Sequence, residues 1–251
     1  MAVCEIHFTA NNVLEKMTAA MVILPEKKRG PFPVFYLLHG LSDDHTAWVR
    51  RTSIERYVEN LPLIVVMPEG GRSFYTDALY KPKAAYETAI LRDLIGFVDA
   101  TFQTIPGRAG RVIGGLSMGG YGALKLALKH PEMFCAAASH SGALAFASSK
   151  FQDNEEWGQE WIPIFGQNPQ GGPEDIFALV ERADRATLPA LRIDCGLDDF
   201  LLQENRRFHQ HLERLGIPHE YTEYPGEHNW AYWDLRVQEA IAFFVRVLGI
   251  G

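Results

Sequence analysis

A mostly parallel β-sheet with helices on both faces is the fold class this 251-residue chain predicts, and two features predict it. The first is a set of continuous apolar runs, "PVFYLLHG", "PLIVVMPEG", "RVIGGLS", "FCAAASHSG" and "LRIDCG", each ending in glycine or polar residues. A strand covered on both faces reads this way, whereas a strand with one wet face alternates. The second is the helical patterning between the runs, which makes the order β-α-β-α, that of an α/β fold.

The elements follow in order. Val3 to Thr9 and Thr18 to Leu24 carry β-branched and apolar residues around "TANN" and "EKKRG", as two antiparallel strands would, and the short basic stretch reads as a solvated hairpin loop. Ile90, Leu91, Leu94, Phe97, Val98 and Phe102 mark one amphipathic helix; Leu124, Leu126, Ala127 and Leu128 mark the next; Leu201, Phe208, Leu212 and Leu215 mark a third. "HEYTEYPG" supplies a final strand and "WAYWDLRVQEAIAFFVRVL" a closing helix. From Ala145 to about Leu188 no strand signal appears, only Trp157, Trp161, "PIFGQNPQGGP" and a helix-like "EDIFALVERA". This segment, 145–188, reads as a short cap-like insertion over the sheet edge. With no internal repeat and no linker, one domain over 1–251 is expected.

Composition narrows the partners. With 47% hydrophobic and 22% charged residues the chain is of ordinary globular type, and a chain of this length hides about 73% of its unfolded surface, enough for one large core. A net charge of -7 provides no electrostatic reason to expect nucleic acid or an anionic membrane. The start "MAVCEIHFTANNV" has no basic leader, and no stretch approaches the about 18 apolar residues of a membrane span, so a cytoplasmic protein is expected. Cys4, Cys135 and Cys195 show neither disulfide nor zinc spacing and read as packing residues. A homo-oligomer is left open.

The chemistry gathers around "RVIGGLSMGGYGALKLALKHPEMF". Gly115 to Gly120 has the outer frame of a phosphate loop, but Tyr121 and Gly122 stand where lysine and a hydroxyl residue belong, and no G-x-G-x-x-G opens the helix. What fits is Gly115-Leu116-Ser117-Met118-Gly119, a G-x-S-x-G turn between a strand and a helix. Its glycines let backbones approach, so that Ser117 can sit in a strained conformation with Oγ projecting. A serine nucleophile needs a histidine base, a carboxylate to orient it and donors for the developing oxyanion. In such a fold the acid and then the histidine follow the serine.

His228 in "YPGEHNWAYWD" is the candidate base, in a loop between the last strand and the closing helix. His7, His130, His209, His211 and His219 read as surface or packing residues, while His140 in "SHSG" lies at a strand end where it can line the pocket. For the acid, "RIDCGLDDFLL" offers Asp194, inside a strand and spent on structure, and Asp198 and Asp199, both in the following loop at the carboxyl edge of the sheet. Either of the latter two can instead cap the helix that begins near Phe200. The oxyanion donors should be the Met118 amide and, after the strand ending His39-Gly40-Leu41, the Leu41 amide; His39 then shapes the loop. Trp48, Tyr75, His140 and Trp230 are candidates to contact substrate, with Phe74, Trp157 and Trp161 as further aromatics; core packing is the commoner role for tryptophan.

Five motifs in order, "LLHGLSDDHTAWVRRTSIERY", "IVVMPEGGRSFYTD", "GGLSMGGYGALKLALKHPEMF", "DCGLDDFLLQEN" and "PGEHNWAYWD", resemble the esterase D-like branch of the α/β-hydrolases. The resemblance is closest to the tributyrin esterase group of small bacterial carboxylesterases; S-formylglutathione hydrolases and feruloyl and acetylxylan esterases are relatives. It runs from about Pro33 to the chain's end. It implies an α/β-hydrolase fold with Ser117 as nucleophile, His228 as base and the aspartate of G-x-x-D, Gly196 to Asp199, as acid. Because the family follows that aspartate with Phe and an aliphatic residue, here Phe200 and Leu201, it favours Asp199. The short insertion implies a shallow, accessible acyl pocket. The expected activity is that of a serine carboxylesterase on short-chain acyl esters, small molecules, through an acyl-enzyme and without metal or cofactor. A thioesterase such as S-formylglutathione hydrolase, or an acyltransferase with the same triad, is the alternative. A non-catalytic binding protein would call for a missing triad member, and none is missing.

Overall fold

The computed structural model describes residues 1–10, 13–26, 28–152 and 156–251. Among them eight strands form one sheet: β1 (Ala2–Ala10), β2 (Lys16–Leu24), β3 (Val34–Leu38), β4 (Ile64–Pro68), β5 (Arg111–Leu116), β6 (Ala136–His140), β7 (Ala190–Gly196) and β8 (Glu220–Tyr224). Their order is β1-β2-β4-β3-β5-β6-β7-β8. The strands from β3 onward pair in parallel, while β1 pairs antiparallel with β2 and β2 antiparallel with β4. This is the mostly parallel sheet of an α/β-hydrolase, and the five continuous apolar runs are its strands β3 to β7.

One expectation is corrected. Since β4 lies between β2 and β3, the "EKKRG" stretch is a crossover and not a hairpin loop; the hairpin is β1–β2. Pairing order leaves no mark on an apolar run, which is why the sequence misled. Asn11 and Asn12 of "TANN" and Lys27 of "EKKRG" lie outside the described residues.

The helices are α1 (Ala47–Arg51), α2 (Ile54–Tyr57), α3 (Tyr86–Thr88), α4 (Ile95–Thr101), α5 (Met118–Lys129), α6 (Glu156–Phe165), α7 (Ile176–Arg182), α8 (Leu202–Leu215) and α9 (Trp230–Leu248). Successive side chains of each central strand enter opposite cores. Val34, Tyr36 and Leu38 of β3 join Val98, Leu124 and Phe208 on one face, while Phe35 and Leu37 join Trp48, Val237 and Phe244 on the other. Helix α5 packs on β3, β5 and β6, and α9 crosses β5, β6 and β7. The helix expected around Ile90 is wound as a π-helix over Ala89–Leu94, between α3 and α4. Apolar residues at 90, 94 and 98 serve either winding, so the pattern cannot distinguish them.

The stretch between β6 and β7 holds α6 and α7 and no strand among its described residues. Its α7 packs on α5 and α8. The amides of Leu79 and Tyr80 donate to the Ile164 and Pro163 carbonyls, at 3.1 and 2.9 Å, which ties the end of α6 to the loop after β4. No helix among the described residues is long and apolar enough to cross a membrane.

Topology picks out one location. From β3 the chain steps outward to β4 and then jumps back across β3 to β5, so the direction of winding reverses between β3 and β5. Ligands of open α/β sheets bind outside the carboxyl ends of the strands at such a reversal. There β3 runs into His39-Gly40-Leu41 and β5 into Ser117.

Candidate active site

Ser117 joins β5 to α5 with φ +53° and ψ -116°, a conformation that costs a non-glycine residue on the order of 1–3 kcal/mol. Its surroundings hold it there: its amide donates to the His140 carbonyl at 2.9 Å, and its carbonyl accepts from the Tyr121 and Ala143 amides at 3.0 and 3.2 Å. The flanking glycines make the turn sterically feasible. A Cβ on Gly115 would lie 2.6 Å from the Gly119 carbonyl carbon, and one on Gly119 would lie 2.5 Å from the Leu38 oxygen.

His228 arrives from the loop between β8 and α9, one residue before Asn229, whose side chain caps α9 by accepting from the Tyr232 amide at 3.1 Å. The loop after β7 is stitched to it. The Asp198 amide donates to the Gly226 carbonyl at 3.0 Å, and a Cβ on Gly196 would lie only 2.3 Å from that oxygen. The stitching brings the Asp199 carboxylate to His228 Nδ1, at 3.0 and 2.9 Å for its two oxygens, and the opposite ring nitrogen, Nε2, lies 3.0 Å from Ser117 Oγ. With Nδ1–H donating to the carboxylate, Nε2 is left as the acceptor for the serine proton.

Asp199 also accepts the Leu201 amide at 2.8 Å. Burial pushes its carboxyl upward, but the hydrogen bonds from His228 and from Leu201 outweigh burial and the net shift is downward, which keeps it an anion. Asp198, its neighbour, is exposed, and neither aspartate is the N-cap residue of α8; that position is Leu201.

The backbone of Gly40 passes close to the serine: a Cβ there would lie 3.8 Å from Ser117 Cβ. Leu41 is half-buried beside it, and Met118 is buried at the first turn of α5. His39 donates from Nδ1 to the Gly40 carbonyl at 2.7 Å and accepts the Gly70 amide at Nε2, 2.9 Å away. It shapes the loop.

The aromatic candidates are placed differently from expectation. Trp48, Tyr75 and His140 are completely buried, so no surface of theirs faces a substrate. Trp48 fills the core under α9 with its Nε1–H on the Leu38 carbonyl, Tyr75 donates to the His39 carbonyl, and His140 donates to Asp194. Each is spent on an internal hydrogen bond. Trp230 is half-buried, edge-on to Trp48 and Trp233. Phe74 and Trp161 lie in an aromatic cluster with Phe146 and Phe165. The side chain of Trp157 lies outside the described residues.

Two features escaped the sequence reading. The Phe200 ring lies 4.5 Å from the His228 ring and is 76% exposed, a large apolar side chain on the rim of the triad. The second is Lys125, fully buried, whose three Nζ–H donors are shared among the Tyr75 carbonyl, Thr76, Glu87 and Glu174 at 2.6–3.0 Å. Burial pushes Glu87 upward, but Lys125 and its neighbours hold it far below the usual carboxylate range. A lysine in the otherwise apolar stretch "GALKLAL" was the available signal. A cleft of about 700 Å³ at the amino ends of β7 and β8, lined by Leu188, Ile217 and Phe243, contains none of the triad.

Comparison with known proteins identifies the family of the chain. The model of a family described as "Putative esterase" matches residues 11–244. An acetyl esterase of Caldicellulosiruptor saccharolyticus is 30% identical over 98% of this chain and 99% of its own. The fluorophosphonate-binding serine hydrolase F of Staphylococcus aureus, solved with substrate bound, superposes with a TM-score of 0.85 at 30% identity, covering 97% of this chain and 98% of that one. An S-formylglutathione hydrolase of the same organism superposes at 0.84 with 31% identity and the same coverage.

Proposed function

Since the chain belongs to the Esterase family and is a carboxylic ester hydrolase, we propose that it cleaves short-chain acyl esters through an acyl-enzyme on Ser117. The observation that carries the reading is the unbroken relay from Asp199 through His228 to a serine held on a strained turn. His228 Nε2 takes the Ser117 proton as Oγ attacks the ester carbonyl carbon. The oxyanion is met by the Leu41 and Met118 amides, and the carbon–oxygen bond to the alcohol breaks as His228 returns the proton to that oxygen. Water, activated in the same way, then releases the acid. Asp199 fixes the tautomer and stabilises the imidazolium. Each oxyanion donor contributes about 10²–10³ in rate.

The preference for short acyl groups rests on what fills the insertion. Phe74 stacks on Phe146 at 3.9 Å, and Phe151, Trp161 and Phe165 close around that pair, so the aromatic side chains of the insertion are spent on packing against one another and not on lining a long alkyl groove. A thioester such as S-formylglutathione is the second reading, favoured by the likeness to the staphylococcal hydrolase of that name.

Initial rates on p-nitrophenyl acetate, butyrate and octanoate, beside acetylated sugars and S-formylglutathione, test both. Acetate or butyrate should have the highest kcat/KM among the esters, and an octanoate optimum would overturn the short-chain reading. A preference for S-formylglutathione of about tenfold or more over every ester would install the thioester reading instead. Mass spectrometry after fluorophosphonate treatment should find the adduct on Ser117.

A further inference from the structure

Tyr75 is expected from the sequence to touch substrate, yet it is completely buried, and what its hydroxyl touches points to another role. We propose that Tyr75 is a positioning residue that sets the angle of the peptide carrying the Leu41 amide. The inference rests on the reading above, in which that amide receives the oxyanion.

The Leu41 N–H and the Gly40 carbonyl belong to one peptide unit. The carbonyl end of that unit is held by His39 Nδ1–H at 2.7 Å and by the Asp43 amide at 3.2 Å. A hydrogen bond accepted at the carbonyl polarises the N–H of the same peptide and strengthens it as a donor. His39 is held in turn at two points: its Nε2 by the Gly70 amide and its carbonyl by the Tyr75 hydroxyl, both at 2.9 Å. Tyr75 therefore fixes the peptide immediately before the one that matters.

The molecule invests heavily in placing that hydroxyl. The Tyr75 ring is wedged between two glycines, where a Cβ on Gly70 would come within 2.4 Å and one on Gly122 within 2.5 Å of a ring carbon. Phe74 and Tyr75 both adopt left-handed backbone conformations, at φ +51° and +55°, which non-glycine residues seldom do. The turn is pinned by Ser73 Oγ accepting the Tyr75 amide at 2.9 Å and by buried Lys125 donating to the Tyr75 carbonyl at 2.6 Å. Burial also pushes the Tyr75 hydroxyl well above its ordinary range, so it remains a donor. A ring needed only for packing would require neither the hydroxyl nor the strained pair.

Tyr75→Phe removes the hydroxyl and keeps the ring. The measurements are kcat and KM for p-nitrophenyl acetate, Ki for a trifluoromethyl ketone that forms an oxyanion on the serine, and the pH midpoint of kcat/KM. Loosening a donor in this way should lower kcat about 10- to 100-fold with KM nearly unchanged. Ki should rise by a similar factor, because the loss falls on the oxyanion and not on the ground state. The pH midpoint should stay in place, since His228 and Asp199 are untouched. Should the variant not fold, Gly70→Ala, whose Cβ would displace the ring, is measured in its place and must show the same signature. A kcat within about threefold of wild type, a kcat loss without the rise in Ki, or a moved midpoint overturns the inference. A wild-type protein that hydrolyses no ester sinks the esterase reading as well; an active wild type with an unaltered variant sinks this inference alone.

Discussion

The His228–Asp199 and His140–Asp194 pairs use the same side chains in the same contact, an imidazole Nδ1 against a carboxylate oxygen, at 2.9 Å in the first and 2.8 Å in the second. They differ in what the other ring nitrogen meets. His228 Nε2 reaches Ser117 Oγ, and its side chain is 16% exposed. His140 Nε2 has no hydrogen-bond partner among the described residues, both members of its pair are completely buried, and the Tyr232 hydroxyl closes the second Asp194 oxygen at 2.9 Å. A histidine paired with an aspartate is therefore not in itself a catalytic relay. On the function proposed above, access and a hydroxyl at the far nitrogen are what make one, and the second pair is a brace between β6 and β7 that also supports the serine turn, through the His140 carbonyl.

The largest effect should come from breaking the outer pair. Asp199→Asn would leave the geometry but favour the wrong tautomer of His228, and such a change typically costs about 10⁴ in kcat. Thermal stability at neutral pH should fall modestly, by the part that the Asp199 charge contributes. The check is kcat beside a melting curve, and a variant within about tenfold of wild-type kcat would remove Asp199 from the relay.

Breaking the inner pair should do the reverse. Asp194→Ala strands His140 Nδ1–H and the Tyr232 hydroxyl, and each buried group left unpaired costs roughly 1–3 kcal/mol. In a chain of this size 1 kcal/mol corresponds to about 2–4 °C in Tm, so a fall of about 4–24 °C is expected. The kcat of the protein that remains folded should stay within about tenfold of wild type. An unchanged Tm with lost activity would mean that the two pairs had been assigned the wrong way round.

Much of this contrast was legible in the sequence, and the part that was not has a physical cause. The G-x-S-x-G turn, the loop after the last strand and the G-x-x-D loop announce themselves through local residue types, so Ser117, His228 and the two candidate aspartates could be singled out. Asp194 could be set aside because it lies within an apolar run. The position of His140 could not be read, because its partner is fixed by β6–β7 register, which places His140 beside Asp194, and register between distant segments leaves no local trace. Trp48 and Tyr75 fail for the same reason. Each follows a strand end where a pocket was expected, but whether a ring turns inward depends on the space that Gly70, Gly122 and α9 leave for it. Pairing order likewise hid the crossover after β2.

Acid should sharpen the comparison on a smaller scale. The folded-state pKa of Asp199 is depressed, so its ionisation contributes stability that is complete above the ordinary value of 3.8 and is lost as the pH falls through the lower folded value. Asn at this position resembles the protonated acid and has no such contribution to lose. The stability gap between wild type and Asp199→Asn, from urea midpoints, should therefore narrow below pH 3.8. Glu87 and Glu174, also depressed, lower stability in acid equally in both proteins and cancel. A gap that stays constant from neutral pH down to about pH 3 would mean that Asp199 gains nothing from its partners.

The smallest effect is expected one residue away. Asp198 shares the loop, the charge and the sequence motif with Asp199, and by composition alone the two are interchangeable as the acid of the relay. The backbone separates them. The Asp198 amide is tied to the Gly226 carbonyl while its side chain is exposed, whereas Asp199 turns inward to meet His228 and the Leu201 amide. Asp198→Asn removes a solvated charge and no hydrogen bond found in the structure, so stability should stay within about 0.5 kcal/mol of wild type, as for most surface substitutions. With no hydrogen bond to His228 to lose, the substitution should leave kcat within about threefold and the pH midpoint of kcat/KM unmoved. A fall in kcat comparable to that of Asp199→Asn would show that the loop rearranges when substrate binds and presents the other carboxylate. The contrast between an accessible relay and a buried brace would then have to be drawn for Asp198 instead.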